Sequence, residues 1–290
     1  MAAEHPATSE TALDVDGASG VYGLRLVGVA KARHLLVEGD DDWPRLRLVS
    51  SVGSSQPIQE EVTNARASLN LKTGGHLSID RARGIAHFVA RRRLTDEEMI
   101  HPYLAPAAAV MAHWLRRQCF HAGAFVSGGG VWALAGDREA GKSSLLAWLA
   151  LRGHAVVTDD ITVINDMRAF AGPRSIDLRS ESAAHLGAGR ELGVVGARAR
   201  WRLGLRQIPR TLPFRGWIFL AWGDALEVEE LGASERLMRL LRQRTLRLVP
   251  TDPAAHLPLA ALPAWELRRP RDWQIVDAVG ERLLELTAAS

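Results

Sequence analysis

One cysteine, Cys119, among 290 residues excludes an internal disulfide and a cysteine-built zinc site, and fits a reducing compartment. The thiol is expected as a buried, inert side chain. Lysine is almost as scarce: Lys31, Lys72 and Lys142 are the three, and arginine carries the rest of the basic charge. The chain has no run of about 18 apolar residues, the least a membrane-crossing helix needs. Its opening, "MAAEHPATSETALDVDGASG", lacks the basic-then-apolar order of a secretion signal. No membrane association and a cytoplasmic setting are the resulting expectations. The formal charge is only +3, and no basic stripe is interleaved with aromatics as a strand-binding groove requires, so no nucleic-acid partner is expected.

What is present is a globular composition, 47% hydrophobic, on a length that favours about two domains. Residues 1–19 carry no apolar periodicity and read as a disordered tail. Residues 20–95 read as an N-terminal β-rich domain. "VYGLRLVGV", "PRLRLVSS", "ARASLNLK", "HLSID" and "GIAHFVA" alternate partially and are parted by the turn formers "GDDDW", "TGG" and "DRARG", which predicts an antiparallel meander. Thr95 and Glu98 form a capping-box pattern that starts a helix. Pro102 and Pro106 are expected to interrupt it before "AAAVMAHWLRRQCF". The second domain, residues 96–290, then opens with a hairpin, "HAGAFVS" and "VWALAG" around "GGG". "GWIFLAW" reads as a central strand, and "SERLMRLLRQRTLRL" as an amphipathic helix with a core-facing side.

"GDREAGKS", Gly136 to Ser143, fits G-x-x-x-x-G-K-[S/T] at every constrained position. Glycines let the backbone turn tightly and aim successive amides at phosphate oxygens, while the helix that follows offers the positive end of its dipole. The context is the required one. "VWALA" supplies the strand, and "SSLLAWLALR" supplies the helix, with Leu145, Leu146 and Leu149 on one face and Gly153 as its stop. Gly136, Asp137, Arg138, Glu139, Ala140, Gly141, Lys142 and Ser143, with Ser144 behind them, are therefore the expected ATP contacts. Lys142 reaches the outer phosphates, and the Ser143 hydroxyl ligates magnesium.

"AVVT" then delivers Asp159 and Asp160 to the end of a core strand. Carboxylates in such a place need a counter-charge, which magnesium on a triphosphate supplies. A second carboxylate can accept the proton of an attacking hydroxyl. A pair leaves room for both tasks.

Loop, helix, "RGHAVVT" and the paired aspartates together resemble the HPr kinase family, phosphate-loop kinases that phosphorylate a serine of a small phosphocarrier protein. The resemblance implies an α/β fold: a P-loop kinase domain of HPr-kinase type, here preceded by a smaller antiparallel-sheet α+β domain. It implies ATP and Mg2+ as cofactors, with Ser143 and Asp159 on the metal, Lys142 on the phosphates and Asp160 as general base. His121 of "FHAGAF" matches the histidine that family carries before the loop, and would assist the aspartates. The chain departs from the family at Ser144, where a glutamate follows the loop serine, and at Glu139, where a glycine stands mid-loop; "RSIDLRSESAAHLGAG" does not match its second signature. The closer likeness is to divergent HPr-kinase-like proteins, some acting on a serine of a peptide or another protein. Possible homo-oligomers are implied by the resemblance alone.

"RARWRLGLRQIPRTLPFR" places Arg198, Arg200, Arg202, Arg206, Arg210 and Arg215 in a segment read as irregular. It is expected to be a solvated basic loop or a contact for an acidic partner; a mobile loop able to bring an arginine to the transferring phosphoryl group is the other reading. The leading functional expectation is an ATP- and magnesium-dependent kinase with a serine of a protein or peptide as acceptor, which an open edge of the N-terminal sheet could recruit by strand addition. A kinase for a small-molecule alcohol and a nucleotide-sensing protein with little turnover are the alternatives.

Overall fold

The computed structural model describes residues 18–288. Residues 1–17 of the expected tail lie outside the described residues, while Ser19 already belongs to a strand. The fold is mixed α/β with several sheets.

The first sheet contains β1 (Ser19–Val21), β2 (Leu24–Val27), β3 (Val37–Glu38), β4 (Arg45–Val52), β5 (Glu61–Val62), β6 (Arg66–Asn70), β7 (His76–Asp80) and β8 (Ile85–Ala90). Their spatial order is β3-β1-β2-β4-β8-β7-β6-β5. The expected antiparallel pairing holds for β5 to β8 and for β1 with β2 and β3, but not for β4. β4 instead lies between β2 and β8 and pairs with both in parallel. The direction follows from counting reversals: four of them separate β4 from β8, so the chain returns to β4 pointing the same way. The core position of β4 comes from alternation, with Leu46 and Leu48 buried between exposed arginines.

Thr95 caps α1 (Asp96–Ile100) by accepting from the Glu98 amide at 3.2 Å, and Glu98 accepts from the Thr95 amide at 2.9 Å. α2 (Leu104–Trp114) follows. Pro106 does not interrupt it as expected; it sits in the first turn, where an amide has no intrahelical partner to lose. α2 stops at Trp114, and the expected helical "QCF" is instead β9 (Gln118–Phe120). One apolar cluster joins the first sheet to α1 and α2 and continues into Ile161, Val163 and Phe170. The packing unit therefore does not end at residue 95.

Next in the chain come β10 (Ala122–Ser127), β11 (Gly130–Gly136), α3 (Lys142–Leu151), β12 (Val156–Thr158), β13 (Thr162–Asn165), β14 (Arg168–Phe170), β15 (Ser175–Leu178) and α4 (Ser180–Leu186). β16 (Arg190–Val195), β17 (Arg198–Gly204), β18 (Thr211–Trp222), β19 (Glu227–Glu230), α5 (Ala233–Arg242), α6 (Leu257–Ala260), β20 (Ala264–Arg269) and α7 (Val276–Ala288) complete it. The main sheet has the order β12-β10-β11-β18-β14-β13-β9. β18 forks it: Thr211 to Pro213 pair with β14, whereas Trp217 to Trp222 pair in parallel with β20. β15, β17 and β16 form a third, small sheet.

β11 is buried on both faces, as a strand central to parallel pairing must be. Trp132 and Leu134 face α3 and α7, while Val131, Ala133 and Ala135 face the cluster holding Leu240 of α5 and Leu259 of α6. The amphipathic helix ends at Arg242, earlier than its sequence pattern suggests, because Arg244 leaves it to bridge Phe120 beside β9. Cys119 is half-buried, and burial pushes its thiol up to about 12, which makes it inert. Among the described residues, no helix is long and apolar enough to cross a membrane.

Candidate active site

β11 ends at Gly136 and α3 begins at Lys142, so the glycine-rich stretch is the turn between them. Two glycines are required there. A Cβ on Gly136, at φ +145°, would stand 2.7 Å from the Leu220 carbonyl oxygen, and one on Gly141, at φ +80°, would stand 2.6 Å from Nη2 of Arg269. Glu139 occupies a left-handed conformation at φ +69° without being glycine. Its carboxylate is held by Arg179 at 2.7 Å, at the entrance to α4. The mid-loop position where the resemblance would place a glycine thus holds a residue in a left-handed conformation tied at its far end. α3 itself needs no such help: Leu and Ala dominate it, no Gly or Pro interrupts it, and Gly153 at φ +86° lies just beyond its end.

Lys142 bends back over the turn, its Nζ donating to the carbonyls of Gly136 at 2.8 Å and Asp137 at 3.0 Å. Burial lowers its pKa, against the upward pull of Asp160, Asp159 and Asp137. Asp137, Arg138 and Glu139 are exposed, and Ala140 is buried. The Ala140 carbonyl accepts from Arg269 at 2.6 Å. The Ser144 hydroxyl lies 2.9 Å from that of Ser182 on α4, and both residues line the cleft.

Asp159 and Asp160 sit in the turn between β12 and β13, and that turn is pinned from three sides. Thr158 donates to the Ile161 carbonyl at 2.8 Å and meets the Tyr22 hydroxyl at 3.2 Å, while Thr162 donates to the Ala122 carbonyl at 2.9 Å. The two carboxylates face different surroundings. Asp159 is buried; its Oδ2 accepts from the Asp177 amide at 3.3 Å, and its Oδ1 is buried without a hydrogen-bond partner. Burial raises its pKa, opposed by His101 and the Ser143 hydroxyl. Asp160 stands in the open, its side chain 37% exposed, with Oδ1 3.7 Å from Nδ1 of His121. His121 lies in the bend between β9 and β10, fixed by its amide donating to the Gln243 carbonyl at 2.7 Å. Burial lowers the imidazole pKa, and Lys142 and Lys72 lower it further, outweighing Asp160.

The donor set beside the loop fits magnesium. An orphaned carboxylate oxygen of Asp159 and the Ser143 hydroxyl are hard oxygen donors of the kind that would hold magnesium. Among the described residues, no group of three or more His, Cys, Asp or Glu could hold a metal by itself.

A second charged cluster, not anticipated from the sequence, backs Asp159. Asp177 of β15 is fully buried and takes a two-pronged contact from Arg202, Nε to Oδ1 at 2.8 Å and Nη2 to Oδ2 at 3.0 Å. Arg200 lies 3.4 Å and His101 3.6 Å from its Oδ2. Burial would raise this carboxyl, yet His101, Arg202 and Arg200 hold it below its ordinary value. The segment read as an irregular arginine loop is corrected accordingly: Arg198, Arg200 and Arg202 belong to β17, where strand pairing with β15 aims Arg200 and Arg202 at Asp177. Arg198 donates to the Asp177 carbonyl at 3.2 Å, and Arg210 pairs with Asp40. Arg174, 1% exposed, donates to the carbonyls of Val156, Val157 and Gly172 and so braces β12, which delivers Asp159. An aspartate within the apolar run "SIDL" was the available signal for this cluster.

Loop, carboxylates and Arg198 line an open cleft of about 2140 Å3 that reaches Lys72 in the turn between β6 and β7 and Trp222 at the end of β18. No family model matches the chain, and no curated protein matches it. Among solved structures the chain is similar to the Hpr(Ser) kinase/phosphatase from Coxiella burnetii, with 16% identity and a TM-score of 0.26, covering 58% of this chain and 98% of that one. The similarity is distant.

Proposed function

We propose that this protein is a magnesium-dependent kinase that passes the γ-phosphate of ATP to a serine hydroxyl of a protein or peptide. The observation that carries the reading is the division of the aspartate pair beside a phosphate-loop turn: Asp159 is buried with one oxygen unpartnered, and Asp160 stands in the cleft beside His121. One carboxylate suits a metal; the other suits a proton.

In this reading Lys142 exchanges its two carbonyl contacts for phosphate oxygens, and the loop amides and α3 hold the rest of the chain of phosphates. Ser143 and Asp159 would hold magnesium, which neutralises charge on the transferring group. The serine oxygen bonds to the γ-phosphorus as the bond to the β,γ-bridging oxygen breaks and ADP leaves. The serine proton passes to Asp160. His121, neutral at pH 7, accepts that proton in turn or orients the carboxylate. The breadth of the cleft favours a macromolecular acceptor over a small alcohol.

The test is transfer from γ-labelled ATP with magnesium into an extract of the source organism, comparing wild type with Asp160→Asn. The expected result is one labelled protein or peptide band with the wild type, weakened at least about a hundredfold in the variant, with ATP binding retained by both. Equal labelling by the variant would remove Asp160 from the base role. No band despite ATP binding that needs Lys142 would shift the reading to a small-alcohol kinase or a nucleotide sensor.

A further inference from the structure

β11, β18 and β20 run parallel, and their C-terminal ends meet at the loop: Gly136 registers with Leu220, and Trp222 with Arg269. Ligands of open α/β sheets settle at such ends. Trp222 closes β18 and is 41% exposed, whereas the other eight tryptophans are buried or half-buried. Its ring stands against the loop, with Cη2 3.4 Å from where a Cβ on Gly141 would be. The Arg269 guanidinium lies 4.3 Å and that of Arg271 6.0 Å from the ring centroid. Arg269 is itself anchored, 5% exposed and donating to the Ala140 carbonyl, so it fixes the indole and the loop relative to each other.

Topology sets a direction across this end of the sheet. β10 and β12, which carry His121 and the aspartates at their ends, lie on one side of β11; β18 and β20 lie on the other. A triphosphate whose γ end faces Asp160 leaves the loop toward β18 with its nucleoside. Trp222 presents a large apolar surface on that side, and Pro270 and Trp273 line the same cleft.

We infer that Trp222, steadied by Arg269, is the platform on which the nucleobase of a purine nucleotide stacks. The inference rests on the nucleotide-binding reading of the loop given above. Indole matches a purine in area better than a pyrimidine, and stacking reads a π-face, not hydrogen-bond edges. ATP and GTP therefore bind alike, and both bind more tightly than CTP.

The experiment is calorimetric titration of the full chain, as wild type, Trp222→Ala and Trp222→Phe, with ATP and with inorganic tripolyphosphate, which carries the phosphates without a base. Trp222→Ala is expected to weaken ATP about tenfold, the loss of one stacked base, and to leave tripolyphosphate within about twofold. Trp222→Phe is expected to recover most of the ATP affinity. Equal weakening of both ligands would overturn the inference, since the ring would then act only through the shape of the loop. So would unchanged ATP binding in Trp222→Ala, or wild-type protein that binds tripolyphosphate as tightly as ATP. Wild-type protein that binds neither ligand would instead overturn the nucleotide reading itself, and this inference with it.

Discussion

Oδ1 of Asp160 lies 3.7 Å from Nδ1 of His121, close enough for charge coupling and too far for a hydrogen bond. In the proposed transfer the acceptor hydroxyl would reach Asp160, and the neighbouring imidazole is the group whose titration the rate would follow.

Burial, with Lys142 and Lys72, places the His121 pKa below the ordinary histidine range. The imidazole is then neutral at pH 7. The transfer rate, as kcat/KM, should be flat from about pH 7 to 8 and fall only on the acid side of about 6.5, and His121→Gln should flatten that acid limb. An acid limb centred above pH 7 in the wild type would contradict this placement. The linked stability has the same sign: the unfolded chain binds the extra proton first, so His121 costs stability as pH falls below its unfolded value.

Asp159 carries the opposite shift. Its folded pKa is raised by burial, so the folded state holds a proton more readily than the unfolded one, and stability declines as pH rises through that window. Asp159→Asn should therefore raise the neutral-pH melting temperature by roughly 2–4 °C, the equivalent of about 1 kcal/mol in a chain of this size. The same variant should lose magnesium-dependent transfer. A lower melting temperature would mean that the interactions of the carboxylate with His101 and the Ser143 hydroxyl outweigh the cost of burying its charge.

Arg202 is the main partner of a carboxylate with no access to water. Arg202→Met leaves Asp177 with only Arg200 and His101, and should cost about 3–5 kcal/mol in urea unfolding. Adding Asp177→Asn should return part of that loss. If the double variant were no more stable than the single one, the penalty would lie in lost packing of the arginine stem.

Gly280 of α7 lies against Trp148 of α3, where an added Cβ would meet the indole ring at 2.3 Å. The ring cannot swing aside, because its Nε1 donates to Asp277 Oδ1 at 2.6 Å. Gly280→Val should destabilise by about 1–3 kcal/mol, measured by the urea midpoint. An unchanged midpoint would show that α7 can lift from α3.

The loop was legible in the sequence because its physics is local. A short apolar strand buried on both faces, glycines at two tight positions and a leucine-rich helix all lie within one short stretch, and no distant partner is needed to read it. The Thr95–Glu98 capping box was legible for the same reason. The parallel placement of β4 was not, since local alternation is identical for either strand direction and only the count of reversals decides it. Nor was the Asp177 cluster: Arg202 lies 25 residues from its partner, and a strand of arginines looks from sequence like a solvated loop until register turns alternate side chains inward. Pro106 misled because proline breaks a helix interior but not its first turn.

Tyr22, near the start of the described chain, places its hydroxyl on Thr158, the residue directly before the aspartate pair. Ile161 and Val163, just after that pair, belong to the same apolar cluster as the first sheet. A recombination event that grafted a different leading segment onto residue 96 would thus exchange more than an adaptor. It would withdraw a support from the turn that holds both carboxylates, so the two halves are heritable as one piece.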